Sequence, residues 1–260
     1  MTQLAGVFPS THYWSLPINL RLIVRLLRVF LHILQGLAIC ALRFTGIDSA
    51  RRDLLVRRWS RQLLAICGVS IEDASPAPAL THALVVANHV SWLDIFVINA
   101  LYPCRFVAKA EIRAWPVLGW LVARAGTVFI ARGNRRDLRH SFKGIVTSLA
   151  EGERVAFFPE GTTGAQGAML TFHANLFEAA IDAGVAVQPY AISYLGQDGQ
   201  LHPAVDFVGE MSFGQSICAV LSARGLRARL CCLAPLDAVG QHRRALALAA
   251  HDAVQTELAA

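Results

Sequence analysis

The chain has 260 residues, 55% of them hydrophobic, and a formal net charge of +6. That length can bury a full core as one large domain or two small ones, and the apolar share exceeds the roughly 45–50% of an ordinary soluble domain. The basic residues interleave with Leu, Ile and Val rather than with exposed aromatics, and no DNA- or RNA-binding motif is present, so a membrane surface rather than nucleic acid is the expected partner.

Leu20 to Phe44 is apolar but interrupted by Arg21, Arg25, Arg28 and His32. Its longest uncharged portion, Val29 to Leu42, is short of the roughly 20 apolar residues a spanning helix needs. The three arginines share one helical face, as suits a helix lying in the interface or dipping into one leaflet, with a tilted span as the alternative. The charged region before the apolar core is too long for a signal peptide. Arg51, Arg52, Arg57, Arg58 and Arg61 resist export by the positive-inside rule. Asp48 to Cys67 predicts a second amphipathic helix, capped by Asp48 or Ser49 and stopped by Gly68, with Leu54, Leu55, Trp59, Leu63 and Ile66 as its apolar stripe. Residues 1–67 are therefore expected to be membrane-associated helices, and residues 68–260 the domain that carries the chemistry.

After Gly68, short runs rich in Val, Ile and Phe alternate with helical stretches. The predicted strands are Val69–Glu72, Ala83–Ala87, Arg105–Ala108, Thr127–Ile130, Val155–Phe158, Val185–Tyr194, Ala204–Val208 and Arg227–Leu233. The predicted helices are Trp92–Tyr102, Trp115–Arg124, Arg136–Glu151, Ala174–Ala183, Gly214–Ala223 and His242–Leu258. This alternation implies an α/β fold with a mixed, largely parallel sheet flanked by helices, since several strands are apolar throughout. Cys40, Cys67, Cys104, Cys218, Cys231 and Cys232 lie in apolar runs without C-x-x-C spacing, and read as reduced, buried small hydrophobes.

Chemistry concentrates at the exits of two strands, where sites gather in such sheets. His89 follows Ala83–Ala87, and Asp94 lies five residues on. A neutral imidazole there can take a proton from a hydroxyl, while a carboxylate on its other nitrogen fixes the tautomer. The same spacing fits a capping box, Ser91-Trp92-Leu93-Asp94, in which Asp94 merely starts a helix. On spacing alone both readings stand. No serine or cysteine nucleophile accompanies the pair, so His89 would act on a substrate hydroxyl directly. The second exit is Phe158-Pro159-Glu160-Gly161-Thr162-Thr163. Pro159 ends the strand, Gly161 frees the turn, and Glu160 and Thr162 offer an acceptor and a hydroxyl to a polyol. Arg132 and Lys109 follow two further strands and suit an anionic group, although any one basic residue is more simply a solvated charge.

Taken together, these residues resemble the glycerolipid acyltransferase family that includes the lysophosphatidic acid acyltransferases. His89 and Asp94 match its H-x-x-x-x-D block. Gly126, Phe129, Ile130 and Arg132 match the second block, Phe158 to Gly161 the third, and Val187 with Pro189 the fourth. The resemblance runs from about Val69 to Tyr194. It implies acyl transfer from acyl-CoA or acyl-carrier protein to a lysolipid hydroxyl, with 1-acylglycerol-3-phosphate as the leading acceptor and phosphatidic acid as product. His89 would be the base and Asp94 its partner, while Arg132, Glu160, Gly161, Thr162 and Lys109 would hold the acceptor. It implies no metal and no resident cofactor, membrane lipids as partners, and the cytoplasmic face of a bacterial inner membrane as location. One departure matters. Many lysophosphatidic acid enzymes carry arginine and serine where this chain has Thr163 and Gly164, and the Thr-Thr form resembles relatives acting on other lysolipids, including lyso-ornithine lipid. A non-catalytic lipid-binding protein is the reading from another class.

Overall fold

The apolar run Ala83–Ala87 forms a strand buried along its whole length, and the sheet extends from it on both sides. In the computed structural model, which describes residues 20–44, 46–130 and 135–260, seven strands form one sheet. They are β1 (Val69–Asp73), β2 (Ala83–Ala87), β3 (Arg105–Lys109), β4 (Val128–Ile130), β5 (Arg154–Phe157), β6 (Val187–Leu195) and β7 (Leu226–Cys232). Their spatial order is β1-β7-β6-β2-β5-β3-β4. Every neighbouring pair is parallel except β6 with β7, so the mixed, largely parallel sheet is present as expected.

Parallel strands bury both faces, and helices cover each. The helices are α1 (Leu20–Arg43), α2 (Ser49–Cys67), α3 (Asp94–Leu101), α4 (Leu118–Arg124), α5 (Arg135–Ala150), α6 (Glu178–Ala183), α7 (Phe213–Ser222) and α8 (Arg243–Ala259). Alternation along the strands sorts the core into two layers. Val85, Ala87, Ala156 and Ile192 pack with α2, α3 and α7. Leu84, Val86, Val155 and Phe157 pack with α5, α6 and α8.

Three expectations change. Ala204–Val208 is not a strand. Pro203 removes a ladder donor and opens a 3₁₀ turn, Pro203–Val205, capped by His202 Nδ1 on the Ala204 N–H. Beyond that turn the Phe207 backbone bonds to Val90 and Thr163 instead of to a neighbouring strand. The stretch Ala174–Ala183 divides into a 3₁₀ turn, Ala174–Phe177, and the short α6. The cysteines are free, but Cys218 is exposed and Cys104 only partly buried.

The first two helices form a hairpin held by reciprocal bonds. His32 Nε2 donates to Trp59 O at 3.0 Å, and Trp59 Nε1 donates to His32 O at 3.2 Å. Their rings stack at 4.5 Å. Gly36 permits this approach, since a Cβ there would lie 2.8 Å from Trp59 Nε1. Asp48 caps α2 by accepting from the Arg51 N–H, and Gly68 ends it at φ 77. The three arginines of α1 do not act alike. Arg21 and Arg28 are exposed, while Arg25 turns inward and donates to Leu221 O and Ala223 O at the C-terminal end of α7, where carbonyls lack helical partners. The opposite side of α1 exposes Leu20, Ile23, Leu27, Phe30, Leu31 and Leu34. By length and composition this helix could cross a membrane.

Candidate active site

β2 and β5 lie side by side in parallel, with Val86 opposite Phe157, so the chain leaves both at the same edge of the sheet. Strand alternation then sets the directions. Val85 and Ala87 face the α3 layer, and the next residue of that parity is His89; in β5 the same count gives Ala156 and Phe158. The two rings meet there, stacked 3.9 Å apart at an interplanar angle of 7°. Phe106 of β3 stacks on Phe158 from behind at 5.8 Å. Asn88, of opposite parity, turns toward β6. Its Nδ2 donates to Ile192 O at 2.9 Å, and its Oδ1 accepts from Ile192 N at 2.8 Å.

Asp94 is fully buried and accepts four hydrogen bonds. His89 Nδ1 approaches Oδ2 at 2.8 Å, the Val90 and Ser91 N–H groups reach the same oxygen at 2.7 and 2.9 Å, and Tyr194 OH reaches Oδ1 at 2.6 Å. A carboxylate is an acceptor only, so Nδ1 carries a proton, and in the neutral tautomer Nε2 is the nitrogen with the lone pair. Burial, and then the adjacent Asp94 charge, push the Tyr194 phenol far above its ordinary range, which keeps it a donor. The capping box is only half formed: Asp94 Oδ2 accepts from the Ser91 N–H, but Ser91 Oγ accepts from Leu93 N rather than from Asp94 N, and Leu93, at the N-cap of α3, supplies no side-chain cap. The Asp94 carboxylate closes the turn that starts α3 and holds the imidazole with the same oxygen.

The third-block turn is tied to the first. Glu160 is 5% exposed; its Oε1 accepts from His89 N at 2.9 Å and its Oε2 from Leu170 N at 3.1 Å. Burial raises its carboxyl above the usual range, against the lowering effect of those two N–H groups. His89 thus has its ring on one buried carboxylate and its backbone on another. Gly164 N donates to His89 O at 2.8 Å. A side chain at Gly164 would come within 3.3 Å of Glu160 Oε2. Thr163 Oγ1 donates to Phe207 O, and Phe207 N donates to Val90 O at 3.3 Å, so the loop after the Pro203–Val205 turn straps both exits together.

Of the residues predicted from sequence, His89, Asp94 and Glu160 converge here. Gly161, with φ 70, and Thr162 are exposed on the adjoining turn. Lys109 is exposed at the end of β3, two strands from β2 at the same sheet edge. Arg132 lies outside the described residues. Sequence reasoning missed Tyr194, which sits 100 residues from Asp94, and missed Phe158 as the ring beneath His89, although parity along β5 points to it. Behind the turns, toward α8, a cavity of about 190 Å³ is lined in part by Asn88, Glu160, Ser193 and Gln255. Among the described residues no group of three or more His, Cys, Asp or Glu is placed to hold a metal ion.

This arrangement can accept a proton at Nε2 and stabilise the resulting imidazolium through Asp94. The family model described as Acyltransferase matches residues 68–193, which include both turns. Along nearly the whole chain, the protein is 37% identical to the lyso-ornithine lipid O-acyltransferase of Pseudomonas aeruginosa, over 246 residues that cover 92% of this chain and 94% of the relative. The chain belongs to the acyltransferase family. A second relative in this family, the 1-acyl-sn-glycerol-3-phosphate acyltransferase of Neisseria meningitidis serogroup B, is 43% identical over 159 residues, 60% of this chain and 62% of that protein. The family fold is matched as well. The crystal structure of the 1-acyl-sn-glycerophosphate acyltransferase PlsC from Thermotoga maritima superposes with a TM-score of 0.62, covering 90% of this chain and 96% of that one, at 20% identity.

Proposed function

We propose that this acyltransferase moves a fatty acyl group from acyl-CoA or acyl-carrier protein to the free hydroxyl of 1-acylglycerol-3-phosphate, forming phosphatidic acid at the cytoplasmic face of a bacterial inner membrane. The observation that carries the reaction is the His89 ring, held at Nδ1 by a buried carboxylate with four donors, which leaves Nε2 as the nitrogen to meet a hydroxyl. Nε2 takes the hydroxyl proton as the acceptor oxygen bonds to the thioester carbonyl carbon. The tetrahedral oxyanion then collapses, the C–S bond breaks, and the imidazolium returns its proton to the departing sulfur. Asp94 stays ionised throughout. The reaction as written calls for no metal and no resident cofactor, the thioester being a substrate.

In this reading Lys109 and Arg132 meet the acceptor phosphate, and the exposed Gly161 and Thr162 line its path. Glu160 contributes by fixing the turn, since each of its oxygens already serves a backbone N–H. Residues 1–67 seat the protein on the membrane, and residues 68–260 carry out the transfer.

Lyso-ornithine lipid is the second reading of the acceptor, and one observation favours it. Thr163 stands where many lysophosphatidic acid enzymes carry arginine, and its hydroxyl is tied to Phe207 O, so the third-block turn contributes no cation at that point. Labelled acyl-CoA and acyl-carrier protein, offered with both lysolipids, separate the readings. Preferred turnover of 1-acylglycerol-3-phosphate is expected; preference for lyso-ornithine lipid would overturn the acceptor assignment alone, and no turnover with any lysolipid would overturn the reaction.

A further inference from the structure

Among the described residues, Val117 is the one non-glycine residue with positive φ, at φ 65 and ψ −57. Those angles belong to the rarer, strained hand of γ-turn, and a β-branched side chain there is an outlier. The chain gains little from it, because Val117 is 53% exposed. Its surroundings share that pattern: Trp115 and Trp120 are 46% and 41% exposed. Arg113 and Arg124 flank them, both exposed, and the Arg124 guanidinium lies 5.4 Å from the Trp120 ring centroid. This turn adjoins α1. Helix α4 packs on it, and Arg124 is within electrostatic reach of Cys40.

Tryptophan seeks the headgroup level of a bilayer, arginine reaches lipid phosphate while its stem stays apolar, and juxtaposed cations favour anionic lipid. We propose that residues 113–124 form a second contact with an anionic bilayer surface, beside α1, in which Trp115, Val117 and Trp120 enter the headgroup boundary. This inference rests on the reading of α1 as membrane-bound. A contact made through the exposed apolar face of α1 leaves rotation about that helix axis open, whereas a second contact away from that axis fixes it. The fixed orientation brings the end of β3, and Lys109 just ahead of the turn, close to the lipid from which an acceptor arrives.

The test uses the full-length protein, vesicles of phosphatidylcholine with and without phosphatidylglycerol, and three variants. Val117→Gly relieves the strain and removes the side chain. It is expected to keep or raise the thermal midpoint while lowering partition onto anionic vesicles several-fold. Trp115→Ala/Trp120→Ala is expected to lower partition roughly tenfold or more and to leave turnover of a monomeric short-chain lysolipid unchanged. Phe30→Glu in α1 calibrates the reading beneath. If it alone weakens binding, the second contact is refuted and the membrane reading survives; if it too binds like wild type, the membrane reading itself falls. Should the double variant fail to fold, Val117→Gly decides. Intact vesicle binding with loss of a self-associated species would make the patch a protein interface and overturn the proposal.

Discussion

Asp94 and Glu160 are buried where β2 and β5 end, while Leu27, Phe30 and Trp115 stand in solvent along α1 and ahead of α4. Both regions invert the ordinary partition of residues, in opposite directions and for different reasons. Buried carboxylates survive because each oxygen has donors, most of them backbone N–H groups that the local turns would otherwise leave unpaired. Among the described residues, these apolar side chains are left about half exposed, even where Trp115 has the Phe213 ring beside it. In the proposed function the first region meets the substrate, and the second is the kind of exposed apolar surface that a membrane covers. Changes in the first region should cost catalysis or folding and spare membrane binding; changes in the second should do the reverse.

The largest expected effect is that of His89→Ala, which should lower acyl transfer by roughly 10²–10⁴-fold while vesicle binding stays as in wild type. Activity retained in steady-state assays would remove His89 from the mechanism. Next comes Tyr194→Phe. It takes one donor from the buried Asp94 carboxylate, a bond of about 1.5–3 kcal/mol to a charged group, so kcat should fall roughly tenfold or more with a matching loss in denaturant titration. An unchanged kcat would mean that Asp94 holds the ring without Tyr194.

Glu160→Gln gives a subtler result with a definite sign. Because burial raises the Glu160 carboxyl in the folded state, the native protein binds more protons than the unfolded chain just above the ordinary carboxylate range. Its stability relative to the Gln variant should therefore fall as pH rises through that window. A glutamine also offers an NH₂ group where a backbone N–H now finds an oxygen, costing about 1–3 kcal/mol. Urea titrations of both proteins across the acid range would read the two effects, and a pH-independent difference would contradict the first. The smallest effect belongs to Arg25→Ala, at about 1 kcal/mol, the ordinary net worth of side-chain bonds such as those it makes to the carbonyls ending α7. A loss in thermal midpoint without a loss in kcat would keep α1 and α7 outside the chemistry.

Much of this division was legible in sequence, for identifiable reasons. The run Ala83–Ala87 reads as a strand because it is apolar throughout, and that placed His89 and Asp94 at its exit. The interrupted pattern of Leu20 to Phe44 announced an exposed apolar helix. Legibility failed where a residue's role depends on which strands become neighbours. Tyr194 reaches Asp94 only because β6 lies beside β2, and no local pattern encodes that order. Ala204–Val208 has the composition of a strand, but Pro203, the Val90 carbonyl and the Thr163 hydroxyl claimed it for a strap. Arg25 sits in register with Arg21 and Arg28, yet the end of α7 draws it inward.

Asn88 sets where the main chain of β2 leaves the sheet. Its carboxamide offers Ile192 one donor and one acceptor, the same pair a peptide unit would present. The side chain impersonates one further residue of strand, so β6 meets a partner where the backbone of β2 has already left. The point of departure is thereby set by one amide. Aspartate, equal in shape, lacks the donor, and glutamine is one methylene too long. The mouth of the enzyme opens where it does because a side chain took over the work of the main chain one residue before the histidine.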